Sequence, residues 1–401
     1  MRFVRNWGRL GMNYNFEVVT IGDCCDIVKK TMKPKCGEVY TCFSLPAFDN
    51  SATPEILKGE DIRSSKFLLD ENTILFNKLN PKFRRIWNIH SLKKYKNTIC
   101  STEFLPLKVK INIEQDFLYY YISSPYFTKI MDGIRTGTSN SQQRIDWKRF
   151  LQEPICLPPL SIQRKIASLL SNIDNKIKLN IKINNNLEQQ LLSLYKQIIN
   201  CSRKSNEVTL ASLCNFQEGY VNPAQTHAEY FDGDVKWLRA VDINESFIIN
   251  TSRTLTKLGF ESAKKSALLF KPNTIAISKS GTIGRLGIIA DYMCGNRAVI
   301  NISPIKNDYL AFIYCYLKSK QREFPDMAVG SVQKNLYISL LEPLTVAIPE
   351  NDKFHTFNQI GMNILNTMQN NCEENIKLCE LRDLLLPKLM SGELDVSDID
   401  L

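Results

Sequence analysis

Residues 166–198 read IASLLSNIDNKIKLNIKINNNLEQQLLSLYKQI, and residues 357–389 read FNQIGMNILNTMQNNCEENIKLCELRDLLLPKL. In the first stretch Ile166, Leu170, Ile173, Ile177, Asn180, Asn184, Leu187, Leu191, Leu194 and Ile198 recur at alternating steps of four and three. That spacing lays one seam along the face of an α-helix. Moving 191 positions along the chain (166 to 357) yields Phe357, Gly361, Ile364, Met368, Asn371, Asn375, Leu378, Arg382, Leu385 and Leu389. Both seams carry Asn at the same two places. A repeat of this length means two copies of one domain-plus-helix unit. Paired seams predict helices that pack on each other, so the chain reads as two heads and a spacer.

The same duplication runs through the rest of the chain. Val19-Thr20-Ile21-Gly22-Asp23 opens the first unit and Val208-Thr209-Leu210-Ala211-Ser212 the second. Gly37-Glu38-Val39-Tyr40 and Gly233-Asp234-Val235-Lys236 each read as a turn leading into a strand. Asn72-Thr73-Ile74-Leu75-Phe76-Asn77-Lys78 is echoed by Asn273-Thr274-Ile275-Ala276-Ile277-Ser278-Lys279, a buried strand that delivers a lysine at its end. Helices are predicted to start near Asp116 and Asp308. Polar loops follow at Gly137-Thr138 with Gln142-Gln143, and at Gly330-Ser331 with Gln333. Glu153-Pro154-Ile155 and Glu342-Pro343-Leu344 begin the last apolar strand; Pro158-Pro159 and Pro349 then stop it before the long helix. Landmark offsets range from 189 (Val19 to Val208) to 201 (Asn72 to Asn273), so the heads share a frame and differ in their loops. The expected boundaries are 1–13 for an extension, 14–160 and 202–350 for the heads, 161–201 and 351–391 for the spacer helices, and 392–401 for a tail.

The size suits about two to four domains. With 44% hydrophobic and 23% charged residues, the chain has an ordinary globular composition and wholesale disorder is excluded. A formal net charge of +10 favours a polyanionic partner over an acidic-residue-seeking one. No apolar run is long enough to span a bilayer, and the first residues lack the continuous apolar stretch of a signal peptide. The 12 cysteines are scattered with no Cys-x-x-Cys pair, which points to reduced, mostly buried thiols in a cytoplasm.

Asn at a seam position lowers stability and specifies register, because its partner must be polar. Antiparallel packing about the seam centres pairs Asn180 with Asn375 and Asn184 with Asn371. Parallel packing pairs the equivalent residues instead, and both satisfy the amides. The short connections select the antiparallel arrangement, since a whole head separates the helices; the competing reading packs each seam on its own head. At roughly 1.5 Å rise per residue, Ile166 to Ile198 spans about 50 Å. That length covers roughly 14 base pairs of B-DNA. Two heads on such a ruler suit two segments of a long ligand separated by unread length.

The nucleic-acid signal lies between residues 78 and 96. Lys78, Lys82, Arg84, Arg85, Lys93, Lys94 and Lys96 occur there without an acidic residue, interleaved with Phe83, Trp87 and Tyr95. Lys and Arg neutralise phosphates, and Arg also pairs with guanine. A solvated basic loop with core aromatics reads the same way. In the second head Lys279, Ser280, Gly281, Thr282, Gly284 and Arg285 offer small residues with flanking charge, a setting for backbone contact with phosphate. This run lacks the Gly-Lys-Ser/Thr ending of a P-loop. Thr138, Gln142, Gln143 and Arg144, and Ser331, Gln333 and Lys334, carry groups suited to base edges, or form ordinary turns. His90, His227 and His355 occupy unmatched positions, and no nucleophile–base pair, metal cluster or S-adenosylmethionine loop is evident. A binding scaffold is therefore favoured over a stand-alone nuclease, with a protein-only scaffold the other alternative.

Several stretches resemble the specificity (S) subunit of type I restriction–modification systems. Leu157-Pro158-Pro159-Leu160-Ser161-Ile162-Gln163 is similar to that family's Pro-Pro-Leu-x-x-Gln start of the first conserved helix, with Ile162 in place of Glu. Asn180 through Glu188 resembles its middle. Glu374-Asn375-Ile376-Lys377-Leu378 and the run from Leu381 to Leu394 resemble the second helix and its ending, whereas Ile348-Pro349-Glu350-Asn351-Asp352 departs from the usual start. The resemblance implies an α+β fold: two tandem α/β target-recognition domains, separated by two long helices in an antiparallel coiled coil with pseudo-twofold repeat. It implies a non-catalytic subunit whose domains each read half of a bipartite double-stranded DNA site. It further implies two modification (methyltransferase) subunits using S-adenosylmethionine and two restriction subunits using ATP and Mg, with no cofactor on this chain.

Overall fold

The computed structural model describes residues 15–80, 83–136, 143–201, 205–244, 247–331 and 333–399. The chain divides into two compact units, Met1–Lys176 with Leu378–Leu401, and Ile177–Lys377. Each unit holds one head and a stretch of both long helices, which run Leu160–Asn200 and Asn351–Ser391.

In the first unit the strand Glu17–Thr20 pairs antiparallel with Pro154–Leu157, so the head is closed just before its helix starts. Between them lies a sheet ordered Cys25–Ile27, Phe104–Val109, Thr73–Asn77 and Ile86–Ile89. A second sheet is ordered Thr31–Met32, Lys66–Leu68, Thr98–Cys100, Val39–Phe43 and Glu55–Lys58. The strand Thr73–Asn77 is buried along its whole length. Alternate side chains of a strand point to opposite faces. Ile74 and Phe76 accordingly join Ile21, Phe117, Phe127 and Phe150 in one core, while Leu75 joins Phe43, Trp87 and Phe104 in another.

The second unit repeats this frame. Asn206–Thr209 pairs with Thr345–Ile348. Its main sheet runs Cys214–Glu218, Val299–Pro304, Thr274–Ser278, Leu286–Ile289 and Phe247–Ile248. Ile275 and Ile277 face the large core, and Ala276 the smaller one behind. The stretch expected to be a turn at Gly233 lies instead inside the strand Phe231–Leu238, where pairing with Thr254–Leu255 slips between Phe231 and Val235. A Cβ on Gly233 would sit 2.6 Å from the Thr256 Cα, so close backbone approach rather than turn geometry requires the glycine.

The helices pair antiparallel within each unit. In the second, Asn180 Nδ2 donates to Asn375 Oδ1 at 2.9 Å and Asn371 Nδ2 donates to Asn184 Oδ1 at 2.8 Å. Asn180 Nδ2 also donates to Glu374 Oε2 at 2.7 Å, and Asn184 Nδ2 to the Met368 carbonyl at 2.9 Å. Leu191, Phe357 and Met368 carry the seam into the core of that head, and Leu365 joins them. In the first unit Ile166 and Leu170 pack with Leu386, Leu389 and Met390. Arg382 Nη1 reaches Asp174 Oδ1 at 2.9 Å there, and the Tyr120 hydroxyl donates to Asp174 Oδ2 at 2.8 Å. Gln163 secures the start of the first helix: its Nε2 donates to the Pro158 carbonyl at 3.0 Å and its Oε1 accepts from the Glu114 N–H at 3.0 Å. The second helix ends at Gly392, whose φ of 71° glycine adopts without the steric cost of a Cβ.

None of the 12 cysteines is joined in a disulfide. Burial pushes Cys24, Cys25, Cys214 and Cys294 up to about 12, so they stay protonated and serve as packing. Among the described residues no helix is long and apolar enough to cross a membrane.

Candidate nucleic-acid interface

Each buried central strand ends in a polar residue that builds the turn after it. Asn77 Nδ2 donates to the Leu79 carbonyl at 2.5 Å, and its Oδ1 accepts from the Leu79 N–H at 2.9 Å. At the matching place the Ser278 hydroxyl accepts from the Arg285 N–H at 2.8 Å and donates to the Thr282 carbonyl. Gly281 and Gly284, with φ of 74° and 86°, allow the chain to curl tightly enough for that.

The lysine that follows is clamped by its backbone in the same way in both heads. Lys78 N–H donates to the Glu103 carbonyl at 3.1 Å, and its own carbonyl accepts from the Ile145 N–H at 2.9 Å. Lys279 N–H donates to the Ala298 carbonyl at 2.7 Å, and its carbonyl accepts from the Leu336 N–H at 2.9 Å. The strand-end lysine and the distant Ile145 or Leu336 thus meet at one place in each head.

Side chains around the two clamps differ. In the first head Arg144 Nη2 donates to Glu103 Oε1 at 2.8 Å, and the Gln143 carbonyl accepts from the Asn80 N–H at 2.8 Å. Burial pulls the Lys78 ammonium below the usual lysine range; Glu103 opposes this, and the charges of Arg144 and Lys29 add to it. Lys29 lies 4.3 Å from the ring centre of Trp147, an exposed indole. In the second head Lys279 Nζ donates to Glu218 Oε1 at 2.6 Å and sits 4.8 Å from the Tyr337 ring centre. Burial would raise the Glu218 carboxyl, but hydrogen bonds from Lys279 and Tyr220 outweigh it and hold the group below its ordinary range. Tyr220 and Tyr337 are both exposed.

Thr282, Arg285 and Lys334 line one open depression with Gln321 and Asp326. Ser280 is half-buried beside it, and Ser331 and Gln333 are exposed. Arg84 and Arg85 engage their own head: Arg84 Nη1 donates to the Ser123 carbonyl at 3.1 Å, and Arg85 Nε pairs with Asp49 Oδ1 at 2.6 Å. Lys82, Thr138 and Gln142 lie outside the described residues. Among the described residues no cluster of three or more His, Cys, Asp or Glu is placed to hold a metal ion.

Residues 13–189 and 203–378 each match the family model of the type I restriction modification DNA specificity domain. The chain belongs to that family. Its two specificity domains are similar to those of the type I restriction enzyme HindI specificity subunit of Haemophilus influenzae, 22% identical across 86% of this chain and 96% of that protein. The MjaIX specificity subunit of Methanocaldococcus jannaschii is 23% identical across 72% of this chain and 71% of its own length. The fold is that of the S subunit of a type I restriction-modification system from M. genitalium, with a TM-score of 0.56, 19% identity and coverage of 95% and 97% of the two chains.

Sequence reasoning missed Lys29, Glu103, Trp147, Glu218, Tyr220 and Tyr337 as parts of these specificity-domain tips. Two of them leave a trace in the repeat. Asn77 faces Phe104 and Leu107 faces Ile27 in the first sheet, while Ser278 faces Val299 and Ile302 faces Phe216 in the second. That register equates Ile27 with Phe216, and two residues further Lys29 with Glu218. Cys25 and Cys214, each opening its strand, mark the same alignment.

Proposed function

We propose that this chain is the DNA-recognition subunit of a type I restriction–modification complex and is not itself catalytic. Each specificity domain reads one half of a bipartite double-stranded site, and the paired helices set the gap between halves. Methylation of adenine with S-adenosylmethionine is supplied by two modification subunits, and ATP- and Mg-dependent cleavage by two restriction subunits, in the cytoplasm. The observation that carries this reading is the repeated lysine clamp. On a chain whose halves each match the specificity domain, both heads clamp a lysine at the end of the same strand, against Ile145 or Leu336, with exposed aromatics nearby. Cations there neutralise phosphate while hydrogen-bonding side chains meet base edges.

The test is to map methylated adenines genome-wide in cells with and without the chain, then to replace residues 208–349 by another head. The exchange is expected to change one half-site and leave the other half and the gap as they were. Change in both halves, or no motif that depends on the chain, overturns the proposal.

A further inference from the structure

Lys29 and Glu218 occupy the same point of the repeated frame and carry opposite charge. Each is two residues beyond a matched strand pair, Ile27 with Leu107 and Phe216 with Ile302. Each lies by the clamped lysine of its head: Glu218 holds Lys279 at 2.6 Å, and Lys29 rests on Trp147, two residues beyond the Ile145 that bonds the Lys78 carbonyl. Each also has an aromatic neighbour. The Lys29 ammonium rests 4.3 Å from the Trp147 ring centre, and the exposed Tyr220 follows Glu218 by two residues and helps keep its carboxyl below the ordinary range. Lys29 is exposed beside Trp147, which is itself 40% exposed, whereas the Glu218 side chain is 18% exposed and lies beside the exposed Tyr220.

The chemistry of the two groups is complementary. An ionised carboxylate only accepts hydrogen bonds, and an ammonium only donates them. In the major groove cytosine and adenine present amino donors, whereas guanine and the thymine carbonyl present acceptors. A carboxylate is also repelled by phosphate, so Glu218 is ill suited to a backbone contact and well suited to a base amino group. Lys279, 2.6 Å away, holds it in place before any ligand arrives, which reduces the ordering cost of recognition.

We infer that this position is a specificity switch built into the duplicated frame. Glu218 selects a base with an exposed amino group in one half-site, and Lys29 selects an acceptor-rich base edge in the other. The inference rests on the reading of the chain as a DNA-recognition subunit.

The test uses the full chain assembled with its modification subunits and selects bound duplexes from a random pool, for the wild type, Glu218→Gln and Lys29→Gln. Glu218→Gln keeps the shape but adds a donor. It is expected to relax one base position of one half-site by about tenfold, the scale of a good side-chain–base contact. Lys29→Gln is expected to relax one position of the other half-site. Should Glu218→Gln fail to fold, judged by its thermal melt, the double variant Glu218→Gln with Lys279→Gln removes both charges together and is selected in its place. Variants that fold and return the wild-type motif overturn the inference, and assign the Glu218–Lys279 pair to structure. A Lys29→Gln protein with an unchanged motif but a shallower salt dependence makes Lys29 a phosphate contact, and overturns its half. A wild-type assembly that selects no bipartite motif refutes the underlying functional reading instead.

Discussion

The two long helices meet different neighbours at equivalent seam positions. Leu170 of the first is fully buried among Phe117, Phe150 and Leu389. Its counterpart Gly361 carries no side chain, because the Ala311 Cβ lies 2.5 Å from where a Cβ would be. The head helix Leu310–Lys320 thus packs directly on the backbone of its long helix at Gly361. The head anchors differ as well. Tyr120 reaches Asp174 and Tyr314 reaches Glu188, both carboxylates lying on the same long helix. In the repeat, Asp174 corresponds to Leu365 and Glu188 to Cys379, so neither anchor was copied. Duplication preserved the frame and the seam period, while each head acquired its own fit to the helices.

That contrast is broken most strongly at the seam. Leu170→Ala is expected to cost about 2–5 kcal/mol, because it leaves a cavity in a closed core. Gly361→Ala is expected to cost about 1–3 kcal/mol by overpacking, despite alanine's better helix propensity. Denaturant unfolding measures both, and a Gly361→Ala protein more stable than wild type would show that Ala311 yields easily.

A smaller effect separates the two Asn layers. Asn184 uses both ends of its amide, whereas the buried Asn180 Oδ1 has no partner among the described residues. Asn184→Ala is expected to cost about 1–3 kcal/mol and Asn180→Ala less, since one of its polar atoms is already unsatisfied. Equal melting temperatures for the two variants would contradict this ordering.

The smallest expected effect compares the two tips. Glu218 has a folded pKa below its unfolded one, so its ion pair contributes above the ordinary Glu range. That contribution fades as pH falls through the folded value. Thermal melts of wild type and Glu218→Gln should converge in acid and separate near neutrality. A constant difference across pH would mean that the carboxylate's charge is not what stabilises that tip.

The strand-end lysines and the seams were legible because both obey local periodicities, two for a buried strand and alternating three and four for a helix face. The tip as a whole was not. Arg85 looked like a phosphate ligand in a run free of acids, yet Asp49 sits 36 residues away in sequence and 2.6 Å away in space. Arg144 meets Glu103 across 41 residues for the same reason. Salt-bridge partners on different loops have no fixed spacing, so no sequence pattern announces them.

By itself the sequence determined that this protein has two like heads, two seamed helices and polar layers that must find polar partners. Chain connectivity favoured the antiparallel pairing, since a head intervenes between the helices. Only the tertiary structure decided which atoms meet in those layers, that Gly361 makes room for Ala311, and that Lys29 and Glu218 share one place in the frame. Helix and strand periodicity follow from backbone geometry and are written along the chain. Contacts between loops depend on how whole sheets are brought together, and that is settled only when the core closes.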